Sequence, residues 1–248
     1  MEINRALKAK LEPSTRVVVL TGAGISAESG VPTFRGENGW WNKFRPEELA
    51  TVDAFMSNPK LVWEWYEFRR NIIQNIKPNP AHLALVEFQS YFVDFTLVTQ
   101  NVDGLHQKAG STDVIELHGN ITKNKCMDCG KRYDDLSQAK PGIPPQCLCG
   151  GNIRPDVVWF GEMLPPDAIN RAFEFSSNCD LFLSIGTSAV VHPAASLPLV
   201  AKRNGAYVVE VNTAPTEISH FTDKLLLGKA GEILPKLEKL IEEKTSSE

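Results

Sequence analysis

The sequence predicts a doubly wound α/β fold, a parallel sheet with helices on both faces, accompanied by a smaller lobe. Three features carry that expectation. Short β-branched runs recur without polar alternation, the pattern of parallel strands buried on both faces. Helix-like segments separate several of these runs, and a glycine-rich turn follows the first of them directly. At 248 residues, 42% hydrophobic and 23% charged, the chain is long and apolar enough to bury a sizeable core, so one principal domain is expected.

The first run is Arg16-Val17-Val18-Val19-Leu20-Thr21, and similar runs lie at 94–99, 114–117, 181–185, 206–211 and 223–227. Helical spacing is expected from Pro80 to Tyr91, Asp167 to Ser176 and Ala194 to Arg203. From Gly231 the apolar residues 233, 234, 237, 240 and 241 share one helical face, as in a docking helix with a solvated charged side. This alternation is of Rossmann type. Two stretches break it, an aromatic-rich one from Trp40 to about Ile76, which reads as helices, and a cysteine region from about Asn120 to Pro155. The large lobe is therefore expected at about 1–35, 80–119 and 156–248, and the small lobe at about 36–79 (helical insertion) and 120–155 (cysteine module).

The formal charge of -4 and a pI near 5.8 provide no basic footprint, so direct nucleic-acid binding is not expected. The N-terminus lacks an apolar signal region, and no stretch approaches the ~18 apolar residues of a membrane span. The expectation is a cytoplasmic protein without a membrane anchor. Compactness and the lack of a coiled-coil pattern lean towards a monomer.

Four of the five cysteines fall close together as Cys126-x-x-Cys129 and, after seventeen residues, Cys147-x-Cys149. Two such knuckles can close a tetrahedral zinc site, and four thiolates leave no open position, so the metal would be structural. The second pair is C-x-C where zinc ribbons more often have C-x-x-C. A redox pair at Cys126 and Cys129 is the rival reading. Cys179 stands apart as a core thiol.

Gly22-x-Gly24 after a strand lets a pyrophosphate approach backbone amides, although Ala27 holds the place of the third fingerprint glycine. On the residues alone, a plain strand-to-helix turn fits as well. Gln100-Asn101-Val102-Asp103 follows another strand end, where open α/β sheets place their crevices, yet such polar residues also form turns. His118, just past a further run, suits a general base but is one of five histidines. Tyr66 and Arg69 lie three apart on one expected helix, where a phenol and a guanidinium could bind a carboxylate. An amphipathic helix with Arg69 simply solvated is the plainer alternative.

Together, Thr99-Gln100-Asn101-Val102-Asp103-Gly104-Leu105-His106, Leu117-His118-Gly119, the cysteine pairs and the run Gly22-Ala23-Gly24-Ile25-Ser26-Ala27-Glu28-Ser29-Gly30-Val31-Pro32-Thr33-Phe34-Arg35-Gly36 resemble the sirtuin family. The resemblance extends from about Val17 to Ala230, with the motifs in family order. It implies a Rossmann-like large lobe, one structural zinc and an NAD-dependent protein-lysine deacylase that consumes NAD as co-substrate. In that family the acyl oxygen attacks the nicotinamide ribose, nicotinamide leaves, and the acyl group ends as an O-acyl ester of ADP-ribose.

By the same resemblance, His118 is the base and Asn101 orients the ribose and a water. Gln100 contacts the ribose and Asp103 the nicotinamide carboxamide, with Val102 beside them. Gly22, Ala23, Gly24, Ala27, Thr33, Phe34, Arg35 and Trp41 contact the cofactor from the N-terminal side, Phe34 and Arg35 closing over it. Gly186, Thr187, Ser188, Asn212, Thr213, Ala214 and Ala230 meet its adenosine half. Val157 to Glu162 resembles the strand that pairs with an extended substrate peptide, with Val158, Phe160 and Gly161 as substrate contacts. Tyr66-x-x-Arg69 resembles the mark of the class III branch that removes succinyl and malonyl groups. The resulting expectation is a deacetylase that is also a desuccinylase or demalonylase, with acylated-lysine proteins as partners. Mono-ADP-ribosyl transfer and a non-enzymatic NAD-sensing module are the alternatives, and an NAD-linked dehydrogenase is a more distant one.

Overall fold

The computed structural model describes residues 3–33 and 45–245. Its strands are β1 (Arg16–Thr21), β2 (Asp94–Thr99), β3 (Ile115–Glu116), β4 (Gly119–Cys126), β5 (Arg132–Tyr133), β6 (Ile153–Val157), β7 (Leu181–Ile185), β8 (Tyr207–Asn212) and β9 (Lys224–Leu227). Its helices are α1 (Arg5–Lys8), α2 (Ala23–Ala27), α3 (Pro46–Leu49), α4 (Val52–Ser57), α5 (Pro59–Gln74), α6 (Pro80–Tyr91), α7 (Leu105–Ala109), α8 (Pro166–Asn178), α9 (Leu197–Arg203) and α10 (Ala230–Thr245).

Strands β3, β2, β1, β7, β8 and β9 lie side by side in that order, every pair parallel. Alternate residues of β1 face opposite ways, and both sides are apolar. Val17 and Val19 pack with Leu85 and Phe88 of α6 and Leu234 and Leu237 of α10. Val18 and Leu20 pack with Ala172 of α8 and Leu197 and Ala201 of α9. Burial on both faces is why the run shows no polar alternation. The chain order reverses between β1 and β7, which makes their C-terminal ends the topological switch point.

Local sequence explains the helix starts. Asn79 caps α6, accepting from the Ala81 N–H at 2.9 Å while its own N–H donates to His82 Nδ1 at 3.3 Å, and Pro80 occupies the first turn. The segment expected as one helix from Ala194 divides into a 3-10 turn at Ala194–Ser196 and then α9, with Pro198 fitted to the first helical turn.

Strands β5, β4 and β6 form a separate antiparallel sheet, irregular between Asn120 and Asn124. The helices α4 and α5 lie against it, joining Phe55, Val62, Trp65 and Tyr66 to Ile121, Val157 and Trp159 in one core. Arg70 of α5 bridges the two, donating from Nε to the Ile121 carbonyl and from Nη2 to Asn124 Oδ1, both at 2.6 Å. Thus the two stretches that interrupt the α/β rhythm pack on one another. The strand expected over 157–162 ends at Val157. Beyond it the chain is held by single contacts, Val158 N–H to the His118 carbonyl and Phe160 N–H to the Ala50 carbonyl, each at 2.9 Å. Among the described residues, no helix is long and apolar enough to cross a membrane.

Candidate active site

The switch point brings two turns together, backbone against backbone. The Gly24 N–H donates to the Gly186 carbonyl at 2.8 Å, and a Cβ built on Gly24 would lie 2.7 Å from Gly186 Cα. Gly186 has a φ of +59°, so neither position accommodates a side chain without displacing the other turn. Three strand ends are tied beside them. Gln100 Nε2 donates to Thr187 Oγ1 and Asn212 Nδ2 to the Thr187 carbonyl, each at 2.9 Å.

Above these turns opens a cleft of about 630 Å³. Its walls include Gly22, Ala23, Gly24, Thr33, Gln100, Asn101, Val102 and His118, then Gly186, Thr187, Ser188, Asn212, Thr213 and Ala214. Tyr66, Arg69, Val158, Phe160 and Gly161 line it as well.

His118 Nδ1 lies 2.9 Å from the Gln100 carbonyl oxygen, which can only accept, so Nδ1 carries the proton and Nε2 the lone pair. Burial pushes the His118 pKa below its ordinary value, with the Gln100 hydrogen bond opposing the shift. At neutral pH the group is therefore a neutral imidazole with a basic nitrogen. Asn101 is fixed by donation from Nδ2 to the Gly22 carbonyl at 3.0 Å and Ser26 Oγ at 3.2 Å, and from its N–H to Thr99 Oγ1 at 3.0 Å. Asp103 is buried, and that burial raises its pKa against the Leu105 N–H, the Ser26 hydroxyl and the Arg69 charge.

Behind this layer, the rings of His82 and His106 lie 5.0 Å apart between centres, their planes tilted by 54°. His82 Nδ1 accepts from Asn79, which leaves its N–H on Nε2, 3.5 Å from Ser26 Oγ. His106 Nε2 meets Thr21 Oγ1 at 2.9 Å. Burial lowers their pKa values from 6.5 to about 4 for His82 and about 3 for His106, where the His82 charge adds to the effect. Because the unfolded chain takes up protons below pH 6.5 and the folded one does not, the contribution of these groups is full above 6.5. It is lost as pH falls towards 4 and 3. Between pH 7 and pH 5 a loss of about 2 kcal/mol per histidine is expected. Urea midpoints across that range measure it, and a flat midpoint would contradict it.

On α5, Tyr66 and Arg69 are both buried, at 3% and 6% exposure, so the reading of Arg69 as a solvated residue fails. The guanidinium lies 4.7 Å from the Trp65 ring centre and 5.6 Å from that of Tyr66. Burial lowers the Arg69 pKa, opposed by Tyr66 and Asp103, and raises that of Tyr66, opposed by Arg69 and Trp159. A neutral phenol and a guanidinium thus face the cleft side by side, donors suited to a carboxylate.

Four sulfurs, from Cys126 at the end of β4, Cys129 in the following turn and Cys147 and Cys149 before β6, lie within 4.8 Å of one another. The separations Cys126 to Cys149 and Cys129 to Cys147 are 3.5 Å and 3.6 Å. Zinc–sulfur bonds of ~2.3 Å in a tetrahedron place sulfurs ~3.8 Å apart, so the set fits one structural zinc despite the C-x-C spacing. A disulfide would need ~2.05 Å. The Tyr133 hydroxyl donates to Cys147 Sγ at 3.0 Å, a support behind the ligand shell. Removing zinc with a strong chelator is expected to unfold the small sheet. Circular dichroism and metal analysis check this, and an unchanged melting curve from metal-free protein would contradict it. Cys179 is buried elsewhere, and burial pushes its thiol up to about 12, which leaves it inert.

Not every expected residue reaches the cleft. Ala27 is exposed at the end of α2 because the helix turns it outward, and Ala230 is buried at the start of α10 under the sheet. Asp103 lies behind the cleft wall, bordering a small adjacent cavity. Phe34, Arg35 and Trp41 lie outside the described residues. Conversely, Ser26, Trp159 and His82 support the site although the sequence reading gave them no part. Ser26 and Trp159 sit inside the motifs already quoted, whereas His82 has no local signal.

Crevices at switch points of doubly wound sheets are where dinucleotides bind, and that class of protein is what this fold and cleft define. The Sir2 family profile matches residues 22–193. The chain belongs to the Sir2 family. It is 55% identical to an NAD-dependent protein deacylase of Aquifex aeolicus over 232 residues, 93% of this chain and 97% of that one. With an NAD-dependent protein deacylase 1 of Caldanaerobacter subterraneus the identity is 57% over 216 residues, 87% and 89% of the two chains. Among solved structures, a Sir2 homolog in complex with NAD superposes with a TM-score of 0.90 at 45% identity, covering 98% of this chain and 95% of that one. A Sir2 protein with a p53 peptide and NAD+ superposes at 0.82 and 35% identity, covering 95% and 97%.

Proposed function

We propose that this protein is an NAD-dependent protein-lysine deacylase that removes acidic acyl groups, succinyl and malonyl, as well as acetyl. The observation that carries the reading is the placement in one cleft of a neutral histidine, held by Gln100 and basic at Nε2, with the buried pair Tyr66 and Arg69. NAD, as co-substrate, supplies the anomeric carbon that takes the acyl oxygen, and nicotinamide leaves. His118 draws a proton from a ribose hydroxyl at Nε2, so that the hydroxyl can take over the acyl group. Asn101, locked by Gly22 and Ser26, orients the ribose, and Gln100 contacts it. Asp103 is given the nicotinamide carboxamide by the family resemblance alone, because it lies behind the cleft wall rather than in it.

Gly22, Ala23, Gly24 and Thr33, with Phe34, Arg35 and Trp41, receive the pyrophosphate and nicotinamide side. Gly186, Thr187, Ser188, Asn212, Thr213 and Ala214 receive the adenosine. Val158, Phe160 and Gly161 border the acylated lysine of a protein or peptide, and Arg69 and Tyr66 receive the acyl carboxylate. The high identity to proteins named NAD-dependent protein deacylase supports the reaction class. The test is nicotinamide release from purified protein. It should require both NAD and an acyl-lysine peptide and yield O-acyl-ADP-ribose in equal amount, whereas ADP-ribose attached to protein would instead favour ADP-ribosyl transfer.

A further inference from the structure

Arg154 of β6 is one of the most deeply buried side chains, at 1% exposure, yet it lies outside the set of residues that would touch NAD or substrate. Its guanidinium grips Glu162 through two bonds, 2.5 Å to Oε1 and 2.8 Å to Oε2, and the Val157 carbonyl at 2.8 Å. It also lies 3.2 Å from the centre of the Trp159 ring. Glu162 Oε2 accepts the Trp159 backbone N–H at 2.8 Å, and Phe55 packs on the indole at 5.2 Å. Trp159 is therefore clamped at both its backbone and its ring. The clamp aims one polar atom. Indole Nε1–H donates to Tyr66 Oη at 2.8 Å.

An indole N–H can only donate, and a phenol has a single hydrogen. We infer that Trp159 is a positioning residue for acyl selectivity, which by filling an acceptor site on Tyr66 Oη commits the phenol hydrogen to a carboxylate in the cleft. The inference deepens the acidic-acyl reading and rests on it. Tyr66 lines the cleft one helical turn from Arg69, so its hydroxyl then offers an acyl group a donor. Burial keeps the phenol protonated, since it raises the Tyr66 pKa. A buried donor left without an acceptor penalises ligands that lack one, and this is how such a site separates succinyl from acetyl.

The test compares wild type, W159F, Y66F and the double variant on matched succinyl-lysine and acetyl-lysine peptides. Phenylalanine keeps an aromatic face under Arg154 and removes the N–H. W159F is expected to raise KM for the succinyl peptide about tenfold, the size of one hydrogen bond to a charged partner, with kcat within about twofold. The acetyl KM should move far less, and W159F should add nothing to the selectivity lost in Y66F. Equal shifts for both peptides, or an undiminished effect of W159F in the Y66F background, would overturn the inference alone. A wild-type protein that ignores succinyl-lysine would overturn the acyl reading and this inference with it. The hydrogen bond has its own readout that needs no folded W159F. The Trp159 indole N–H resonance should move in Y66F, and an unmoved resonance would overturn the proposed contact.

Discussion

Replacement of His118 by alanine is expected to lower deacylation by roughly 10² to 10⁴-fold, the range over which a positioned general base acts. NAD affinity should change far less, because the two glycine turns and the tied strand ends of β2, β7 and β8 remain in place. Steady-state turnover and calorimetric NAD titration separate the two. The pH profile carries a sign of its own. Since burial lowers the His118 pKa, the acid limb of kcat/KM is expected below pH 6.5. Wild-type turnover in His118→Ala would remove the histidine from the chemistry.

Arg69→Met should cost the protein its acidic-acyl activity, by about 10²-fold in kcat/KM for succinyl-lysine, comparable to losing a bidentate charge-assisted contact worth ~3 kcal/mol. Acetyl-lysine has no carboxylate to lose, so its turnover should fall much less. Melting temperature is measured alongside, because Arg69 is buried and also offsets the charge of Asp103. Unchanged succinyl turnover in Arg69→Met would end the acidic-acyl reading. A parallel fall of both substrates, with a lower melting temperature, would mean that Arg69 merely supports the fold.

Much of this was legible in the sequence because the relevant signals are local. Val17 to Leu20 lacks alternation since both of its faces are buried, and that single fact points to the parallel sheet. The four cysteines declare their metal by spacing, and the folded chain brings their sulfurs within 4.8 Å. Other features depend on contacts between distant residues. Whether Arg69 is solvated or buried turns on its packing with Trp65 and Tyr66 inside the core shared by α5 and the small sheet, which helical periodicity does not report. The bond from Trp159 to Tyr66 spans 93 positions, and the adjacent His82 and His106 belong to different helices. Ala27 is a further case, since a fingerprint position gives the residue type but not the exposed side of α2 on which it lies.

The most direct test of the central claim is mass spectrometry of paired succinyl-lysine and acetyl-lysine peptides incubated with the zinc-loaded protein, with and without NAD. The account predicts NAD-dependent loss of both acyl groups with matching O-succinyl- and O-acetyl-ADP-ribose, and removal of succinyl that depends on Arg69. Intact peptides in the presence of NAD, from protein shown to bind it, would contradict the account.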